Sequence, residues 1–517
     1  MWNDITEQEI IDIIRNLNPR KAPGHDEVSV VLIKKLIYLI APILCSLFNQ
    51  SFYAGTYPNY LKIAKVISLY KSGAKTDPGN YRPISLLSII NKIYEKAIYS
   101  RIYRFLEKNK LINSSQFGFR QGHSTEMAIS EFYEKVLKSQ DQGKATCAVL
   151  LDLAKAFDSV DRAIVLHKLY KYGLRGNILK LMSSYLENRK QFVYNGVLNS
   201  DLADVDVGVP QGAVLGPLLF ILHINDMRFS TELEVLNFAD DTLLYMCFKN
   251  PQDMEEKLNI ELEKVNKWLC INRLKVNSSK TKFMLFRPRS QVWGNMDTLK
   301  LKIGQSANLE QVEQYKYLGL IIDSKLTWEP HVKYICSKLS KTLGVLFRTR
   351  YCLNRHSLFL IFNSLFLSYI RYGIICWGRC TKATMKPLVV MMNRAIRCIL
   401  FLDNRETCTE FFAKNNILHI QDLFKLEVAK FMFRYNNNLL PTNFDNYFIK
   451  SNKIHSHNTR FSLHNFQIPN KKSNKGLQSL GYLGAKIWSK TPEAIKIQTS
   501  VHAFTRSYKS MLFKTYC

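Results

Sequence analysis

Leu233-Glu-Val-Leu-Asn-Phe238, Ala239-Asp240-Asp241 and Thr242-Leu-Leu-Tyr-Met-Cys-Phe248 follow one another without a break. An apolar run, two acids and a second apolar run predict a β-hairpin with the acids at its tip. Like charges held among apolar strands are unfavourable unless cations neutralise them. Two divalent ions spaced about 3.5–4 Å apart would do so, and would clamp an in-line phosphoryl displacement. An isolated Asp-Asp pair is more often an ordinary solvated turn. The surrounding sequence decides between the two.

A third acid favours the metal reading. Cys147-Ala-Val-Leu-Leu-Asp152 predicts a short buried strand that ends at a carboxylate, as a ligand on a rigid element should. Three carboxylates from two adjacent strands could hold two Mg²⁺ ions. One would lower the pKa of an attacking 3′-hydroxyl, and the other would stabilise leaving pyrophosphate. Magnesium suits the role because it takes few protein carboxylates and keeps substrate phosphates in its shell.

Bulk properties bound the partners. A chain of 517 residues with 47% apolar content predicts two to four structural units with ample core. The formal charge of +30 points to a polyanion, nucleic acid first and an anionic membrane second. In residues 324–517, 30 Lys and Arg against 8 Asp and Glu leave a net +22, so +8 falls on residues 1–323. The acids therefore gather with the suspected chemistry and the bases lie downstream. Eleven scattered cysteines read as free thiols of a reducing compartment. Cys376 and Cys380 are the nearest pair, with no matching Cys/His pair to complete a zinc site. Trp2 to Arg15 is too polar for a secretory signal. The apolar runs Leu36–Phe48 and Leu358–Ile370 are too short to span a bilayer. No membrane partner is expected.

Local patterns place these motifs. Thr6 predicts the N-cap of an amphipathic helix over 4–19, with Glu9 three residues on and Ile10, Ile13, Ile14 and Leu17 as its stripe. Lys21 to Asp26 is a turn-rich loop, and an apolar helix follows to about Tyr53. Residues 62–70 alternate as a strand, 71–80 form a loop, and helices are expected over 84–109 and 124–139. Helices are expected around Val165 to Leu169, over 177–188, within Gly212 to Met227 and over 251–271. Gln191–Val197, Asp204–Val209, Phe283–Arg287 and Tyr315–Ile322 read as strands. Residues 330–400 read as basic helices, and the chain beyond about 436 shows few strong periods.

The order Asp152…Phe157-Asp158, Gly208-Val-Pro-Gln-Gly212, Phe238-Ala-Asp-Asp241 resembles the reverse transcriptases of non-LTR (LINE-type) retrotransposons, most closely the jockey-like elements. Lys21-Ala-Pro-Gly-His-Asp26 is similar to that family's N-terminal extension. Asn80-Tyr-Arg-Pro-Ile-Ser-Leu-Leu87 and Gln116-Phe-Gly-Phe-Arg120 resemble its fingers motifs, and Asn277-Ser-Ser-Lys280-Thr and Tyr317-Leu-Gly319 its later palm motifs. The likeness covers about residues 4 to 400, and seven motifs in order, besides the N-terminal extension stretch, are far more specific than any one.

The resemblance implies an α+β right-hand polymerase: an N-terminal extension over 1–53, fingers and palm (an antiparallel sheet plus helices) over 54–322, a helical thumb over 323–400 and a basic C-terminal region of unknown role over 401–517. It implies Asp152, Asp240 and Asp241 as ligands of two Mg²⁺ ions, for which Mn²⁺ could substitute. Phe157 matches the steric gate, whose ring would clash with a ribose 2′-hydroxyl; ordinary core packing is the alternative. Gln211 and Gly212 match the turn that cradles the templating pair and incoming nucleotide. The next position, usually Ser in the family, is Ala213 here. Lys65 and Arg82 match fingers residues that grip the triphosphate, a task suited to the planar guanidinium fork. Lys280 matches the region of a candidate general acid, with Lys282 equally within reach. Tyr317, Leu318 and Gly319 match the primer grip. Asp158 is read as orienting its neighbours rather than binding metal.

The expected function is RNA-directed DNA synthesis by two-metal nucleotidyl transfer, with an RNA template, a DNA primer or target and dNTPs as partners. Lys338, Lys341, Arg348, Arg350, Arg355, Arg371, Arg394 and Arg397 would hold a duplex through its phosphates. The alternative is an inactive or domesticated retrotransposon remnant that only binds nucleic acid; a DNA-templated polymerase would share the same chemistry. The N-terminal endonuclease of full elements is expected to be absent, and no Cys/His knuckle or RNase H acid set is seen. Synthesis in the cytoplasm and action in the nucleus follow from the family's mode, with no import signal identified.

Overall fold

A five-stranded sheet separates the two large cores of the described residues. The computed structural model describes residues 3–288, 299–304, 308–403, 405–451 and 465–516. Its strands are β1 (Ile63–Tyr70), β2 (Tyr81–Leu86), β3 (Ala145–Leu151), β4 (Arg189–Tyr194), β5 (Ala203–Val205), β6 (Glu234–Phe238), β7 (Asp241–Phe248), β8 (Lys282–Phe286), β9 (Glu310–Gln311), β10 (Gln314–Tyr317) and β11 (Leu320–Asp323). The dividing sheet runs β6-β7-β3-β8-β9, antiparallel except for the β8–β9 pair. A second sheet runs β2-β1-β4-β5, and β10 and β11 form a separate hairpin.

β3 is buried along its whole length, which explains its nearly continuous apolar sequence. Its side chains alternate between the cores: Cys147, Val149 and Leu151 enter one, Ala148 and Leu150 the other. Burying a Val or Leu in this way stabilises the fold by about 1.5–3 kcal/mol each. On one side lie helices Glu7–Arg15, Ile37–Ala54, Ile89–Lys108, Arg162–Lys171, Asn177–Leu186, Leu215–Ile224 and Met254–Ile271. Residues of the N-terminal helices lie in this same core. Thr6 accepts from the Glu9 N–H as its sequence predicts, although the helix closes at Arg15, before Pro19.

Helix Ile37–Ala54 is longer than the apolar run Leu36–Phe48 suggests. By length and composition alone it could cross a membrane. Ile37, Ala41, Leu44, Phe48 and Phe52 nevertheless pack into the protein core.

On the other side of the sheet, helix Thr125–Asp141 is the hub for everything downstream. Tyr133 accepts from the Trp328 indole N–H at 3.0 Å, and Glu126 from the Gly373 N–H at 2.7 Å. Glu134 pairs with the fully buried Arg379 and also accepts from the Leu480 N–H. Asp141 accepts from the backbone of Lys472 and Ser473. Helices Glu329–Thr349, Lys382–Leu400, Ile420–Asn436, Leu480–Ser489 and Val501–Phe513 complete this core, with a π-helical turn at Phe362–Leu367. The polar composition beyond residue 436 conceals part of this core: Phe448, Trp488 and Phe504 are buried.

Three strand expectations change. Residues 84–86, expected as helix, belong to β2, and the helix starts at Ile89. Pro83 in β2 pairs with Ser68 of β1, which satisfies the edge-strand rule for proline. The expected strand 204–209 is regular only over β5, and Tyr315–Ile322 is a hairpin turning at Leu318 and Gly319. The ten described cysteines are free, and Cys517 lies outside the described residues.

Asn443 donates to Glu131 at 2.7 Å, tying the C-terminal region to the hub. Burial pushes the Glu131 carboxyl up to about 7, an effect that Asn443 and Lys135 offset only in part. The folded protein therefore holds this proton more tightly than the unfolded chain. Glu131 is neutral in its effect well below its ordinary value of 4.5, destabilises increasingly up to about 7, and destabilises constantly above that. Glu131→Gln should raise the thermal midpoint at pH 8 and leave it unchanged near pH 4. Equal shifts at both pH values would contradict this origin.

Candidate active site

The register between β3 and β7 brings the three acids together. Leu151 pairs with Thr242, so Asp152, just beyond β3, lies beside Asp241 at the start of β7. Phe238 pairs with Asp241, which leaves Ala239 and Asp240 as the hairpin loop. Asp152 is anchored through its backbone: its N–H donates to Thr281 Oγ1 at 3.2 Å and its carbonyl accepts from the Asn277 N–H at 2.8 Å. The motif Asn277–Thr281 is thus a brace for the first acid.

Burial, then Asp240 and Asp152, push the Asp241 carboxyl up to about 6, against the opposing field of Lys71. Burial also raises Asp240, with Asp152 adding to the rise and its own backbone N–H, Arg82 and Lys71 opposing. Both aspartates are nevertheless exposed. The desolvation therefore comes from the surrounding protein walls, and the carboxylates stay accessible to water and ions. Among the described residues, no three His, Cys, Asp or Glu side chains converge closely enough to ligate one ion as they stand. The acids meet through their fields. Hard oxygen donors whose mutual repulsion favours protonation fit a divalent cation such as Mg²⁺.

The hairpin tip has an unexpected support. Ala239 adopts φ 57°, a conformation usually left to glycine. Gln116, itself buried, accepts from the N–H of Gly118 at 2.7 Å and of Ala239 at 3.1 Å. The Phe117 N–H donates to the Asn237 carbonyl at 2.8 Å, and the Asn237 N–H donates to Ser115 at 2.9 Å. Gln116-Phe-Gly-Phe-Arg120 therefore buckles the acidic hairpin from outside the sheet. Only glycine fits at 118, where a Cβ would lie 2.2 Å from the Ala239 nitrogen.

The β10–β11 hairpin lies on the other flank. Burial and then Asp241 raise the Tyr317 hydroxyl, and burial, Asp152 and Asp241 raise that of Tyr315. Leu318 and Gly319 form the turn with φ 44° and 87°. Tyr372 holds this turn by donating to the Leu318 carbonyl at 2.6 Å.

Phe157 is half-buried, stacked on Phe220 with centroids 4.5 Å apart and edge-on to Phe119 at 6.2 Å. Phe157 is thus packed within a cluster of aromatic rings. Gln211 Nε2 donates to Asp158 Oδ1 at 3.0 Å, and the Gln211 carbonyl accepts from the Ser85 N–H at 2.7 Å. Asp158 is thus an orienting partner of Gln211. Gly212 has φ 121°, and a Cβ there would lie 2.5 Å from the Ser85 carbonyl. Beside this turn is a cavity of about 200 Å³ lined by Ala64, Pro83, Ser85, Asp158, Gln191 and Gln211, among others.

The cations divide into two groups. Arg82 is exposed and its field reaches Asp240. Lys65 instead lies 4.1 Å over the Tyr194 ring and 3.9 Å from Glu27, and its side chain is only 17% exposed. Lys71, which no sequence period singles out, is the cation whose field reaches both Asp240 and Asp241. Lys280 is exposed and makes no ion pair among the described residues, whereas Lys282 is bound to Glu310 at 2.5 Å.

Comparison with known proteins gives a consistent answer. Residues 71–322 match the family described as reverse transcriptase (RNA-dependent DNA polymerase). The chain is 28% identical over 458 residues to a probable RNA-directed DNA polymerase from transposon BS of Drosophila melanogaster, covering 84% of this chain and 48% of the relative. It is 29% identical over 450 residues to the corresponding protein of transposon X-element from the same fly, covering 83% and 47%. It is 26% identical over 408 residues to the RNA-directed DNA polymerase from mobile element jockey of Drosophila melanogaster, covering 76% and 44%. The chain thus spans about half the length of these curated relatives. Residues 71–322 thus match the reverse transcriptase family, and over most of its length the chain is similar to RNA-directed DNA polymerases of transposons and mobile elements.

Proposed function

We propose that the chain is an RNA-directed DNA polymerase that extends a DNA 3′-end on an RNA template with dNTPs. The observation that carries this reading is the β3–β7 register, which gathers Asp152, Asp240 and Asp241 at one accessible edge. These three carboxylates would hold two Mg²⁺ ions, which supply activation of the 3′-hydroxyl and stabilisation of the leaving pyrophosphate. Arg82 and Lys71, whose fields already reach the aspartates, would bind the triphosphate through its negatively charged oxygens. Lys65, already engaged by Tyr194 and Glu27, would contribute to the same wall through packing. Lys280 would donate a proton to pyrophosphate, since Lys282 is committed to Glu310.

In this reading the sheet of β1, β2, β4 and β5 belongs to the fingers, the five-stranded sheet is the palm and residues 323–400 are the thumb. Exposed Lys341, Arg348, Arg355, Arg371 and Arg394 lie among exposed Phe347, Tyr351 and Tyr369, a mixture suited to phosphates and sugars of a duplex. Residues 317–319 would support the primer end. The site of action would be nuclear.

Phe157, fixed against Phe220, would exclude a ribose 2′-hydroxyl. Phe157→Val should lower discrimination against ribonucleotides on the order of 100-fold while dNTP incorporation persists. Single-nucleotide incorporation with dCTP and CTP measures this. Unchanged discrimination in an active variant would assign Phe157 to packing alone.

A further inference from the structure

Glu95 is completely buried, yet it forms no ion pair among the described residues. Its two oxygens divide their work. Oε1 accepts from Asn91 Nδ2 at 2.8 Å and from the Tyr185 hydroxyl at 2.9 Å. Oε2 accepts from the backbone N–H groups of Val214 and Leu215. Tyr57 extends the network by donating to Asn91 Oδ1 at 2.6 Å.

Val214 and Leu215 open helix Leu215–Ile224, which has no side-chain cap of its own. A helix start carries unpaired donors and a positive dipole end, so a carboxylate there is stabilised and in turn fixes the first turn. The segment just before it is Pro210-Gln-Gly-Ala213. That turn is otherwise tied by the Ser85 N–H to the Gln211 carbonyl at 2.7 Å, by Gln211 Nε2 to Asp158 Oδ1 at 3.0 Å and by the Ala213 N–H to the Pro210 carbonyl at 3.2 Å. Glu95 comes from the distant helix Ile89–Lys108. It therefore locks the end of this turn to the body of the protein.

We propose that Glu95 is a positioning residue for the nucleotide-facing turn Pro210–Ala213, acting through the first N–H groups of helix Leu215–Ile224. This rests on the reading of Gln211 and Gly212 given above. A glutamine at 95 must turn its NH₂ toward donors at one end or the other, because all four partners donate. The turn would loosen while the catalytic acids stay untouched.

The test compares Glu95→Gln with Tyr185→Phe in the full chain. Tyr185→Phe removes one donor to Oε1 and leaves the helix-capping oxygen in place. Amide hydrogen exchange over 211–215 should accelerate in Glu95→Gln and not in Tyr185→Phe, a readout independent of any polymerase activity. In primer extension, Glu95→Gln should raise the dNTP KM about tenfold with kcat changed little, whereas Tyr185→Phe should lower only the thermal midpoint. Unchanged exchange over 211–215 in a folded Glu95→Gln protein overturns the proposal, as does equal acceleration in both variants. A wild-type protein that fails to extend any primer would overturn the polymerase reading instead, and the exchange result would still decide the role of Glu95.

Discussion

Asp240→Asn should reduce primer extension by on the order of a thousandfold or more, equivalent to about 4 kcal/mol of transition-state stabilisation. The substitution keeps the size of the side chain and removes one negative donor from the set Asp152, Asp240 and Asp241. The loss should not reflect misfolding. Burial and the neighbouring Asp152 hold the Asp240 carboxyl above its ordinary range, so its ionised form is disfavoured in the metal-free fold. Neutral asparagine relieves that repulsion above the ordinary carboxylate range, and in metal-free buffer at pH 7.5 the variant should melt no lower than wild type. Well below the ordinary value of 3.8, where the wild-type carboxyl is protonated both folded and unfolded, the two should melt together. Melting at pH 7.5 with EDTA and extension with Mg²⁺ check both halves. Retained extension, or a variant that melts well below wild type, would contradict the account.

Gly118→Ala should be the most damaging single-methyl change near the site. Its Cβ would lie 2.2 Å from the Ala239 nitrogen and 2.9 Å from the Phe238 carbonyl carbon. Both are backbone atoms of the acidic hairpin, and neither can rotate aside. Either Gln116 releases its bond to Ala239 or the hairpin moves with Asp240. Overpacking of this kind destabilises by about 1–3 kcal/mol, and displacement of a catalytic group by about 1 Å can lower the rate about 100-fold. Gly344→Ala is the control: it lies inside helix Glu329–Thr349, and its nearest neighbour beyond the helix backbone is the Arg348 guanidinium at 3.9 Å. Alanine there should be neutral or stabilising by up to about 1 kcal/mol. If Gly118→Ala melts and extends like wild type, the buckle has no mechanical role.

The hairpin, β3 and the helix begun by Thr6 were legible because their signals are local: alternation, a continuous buried run, a capping residue. β2 was less legible. Pro83 and the apolar residues after it lead smoothly into the helical pattern from Ile89, and only pairing with β1 makes Tyr81–Leu86 extended. The three acids could be assigned to neighbouring strands, whereas the buckle of Gln116 onto Ala239 spans more than a hundred residues and leaves no period. Lys71 and Lys65 show the same limit. Sequence gives each a positive charge, and only the fold directs one toward the aspartates and the other onto Tyr194. Beyond residue 401, polar composition hides helices whose buried faces are completed by helix Thr125–Asp141, so charge alone described them poorly.

The central claim is tested most directly by extending one DNA primer on an RNA template, poly(rA)/oligo(dT), with dTTP and Mg²⁺, alongside Asp240→Asn. The account predicts extension by wild type that stops with EDTA and is lost in the variant. Binding of the hybrid by both proteins with extension by neither would contradict it, and would make the chain a nucleic-acid-binding relic of a polymerase.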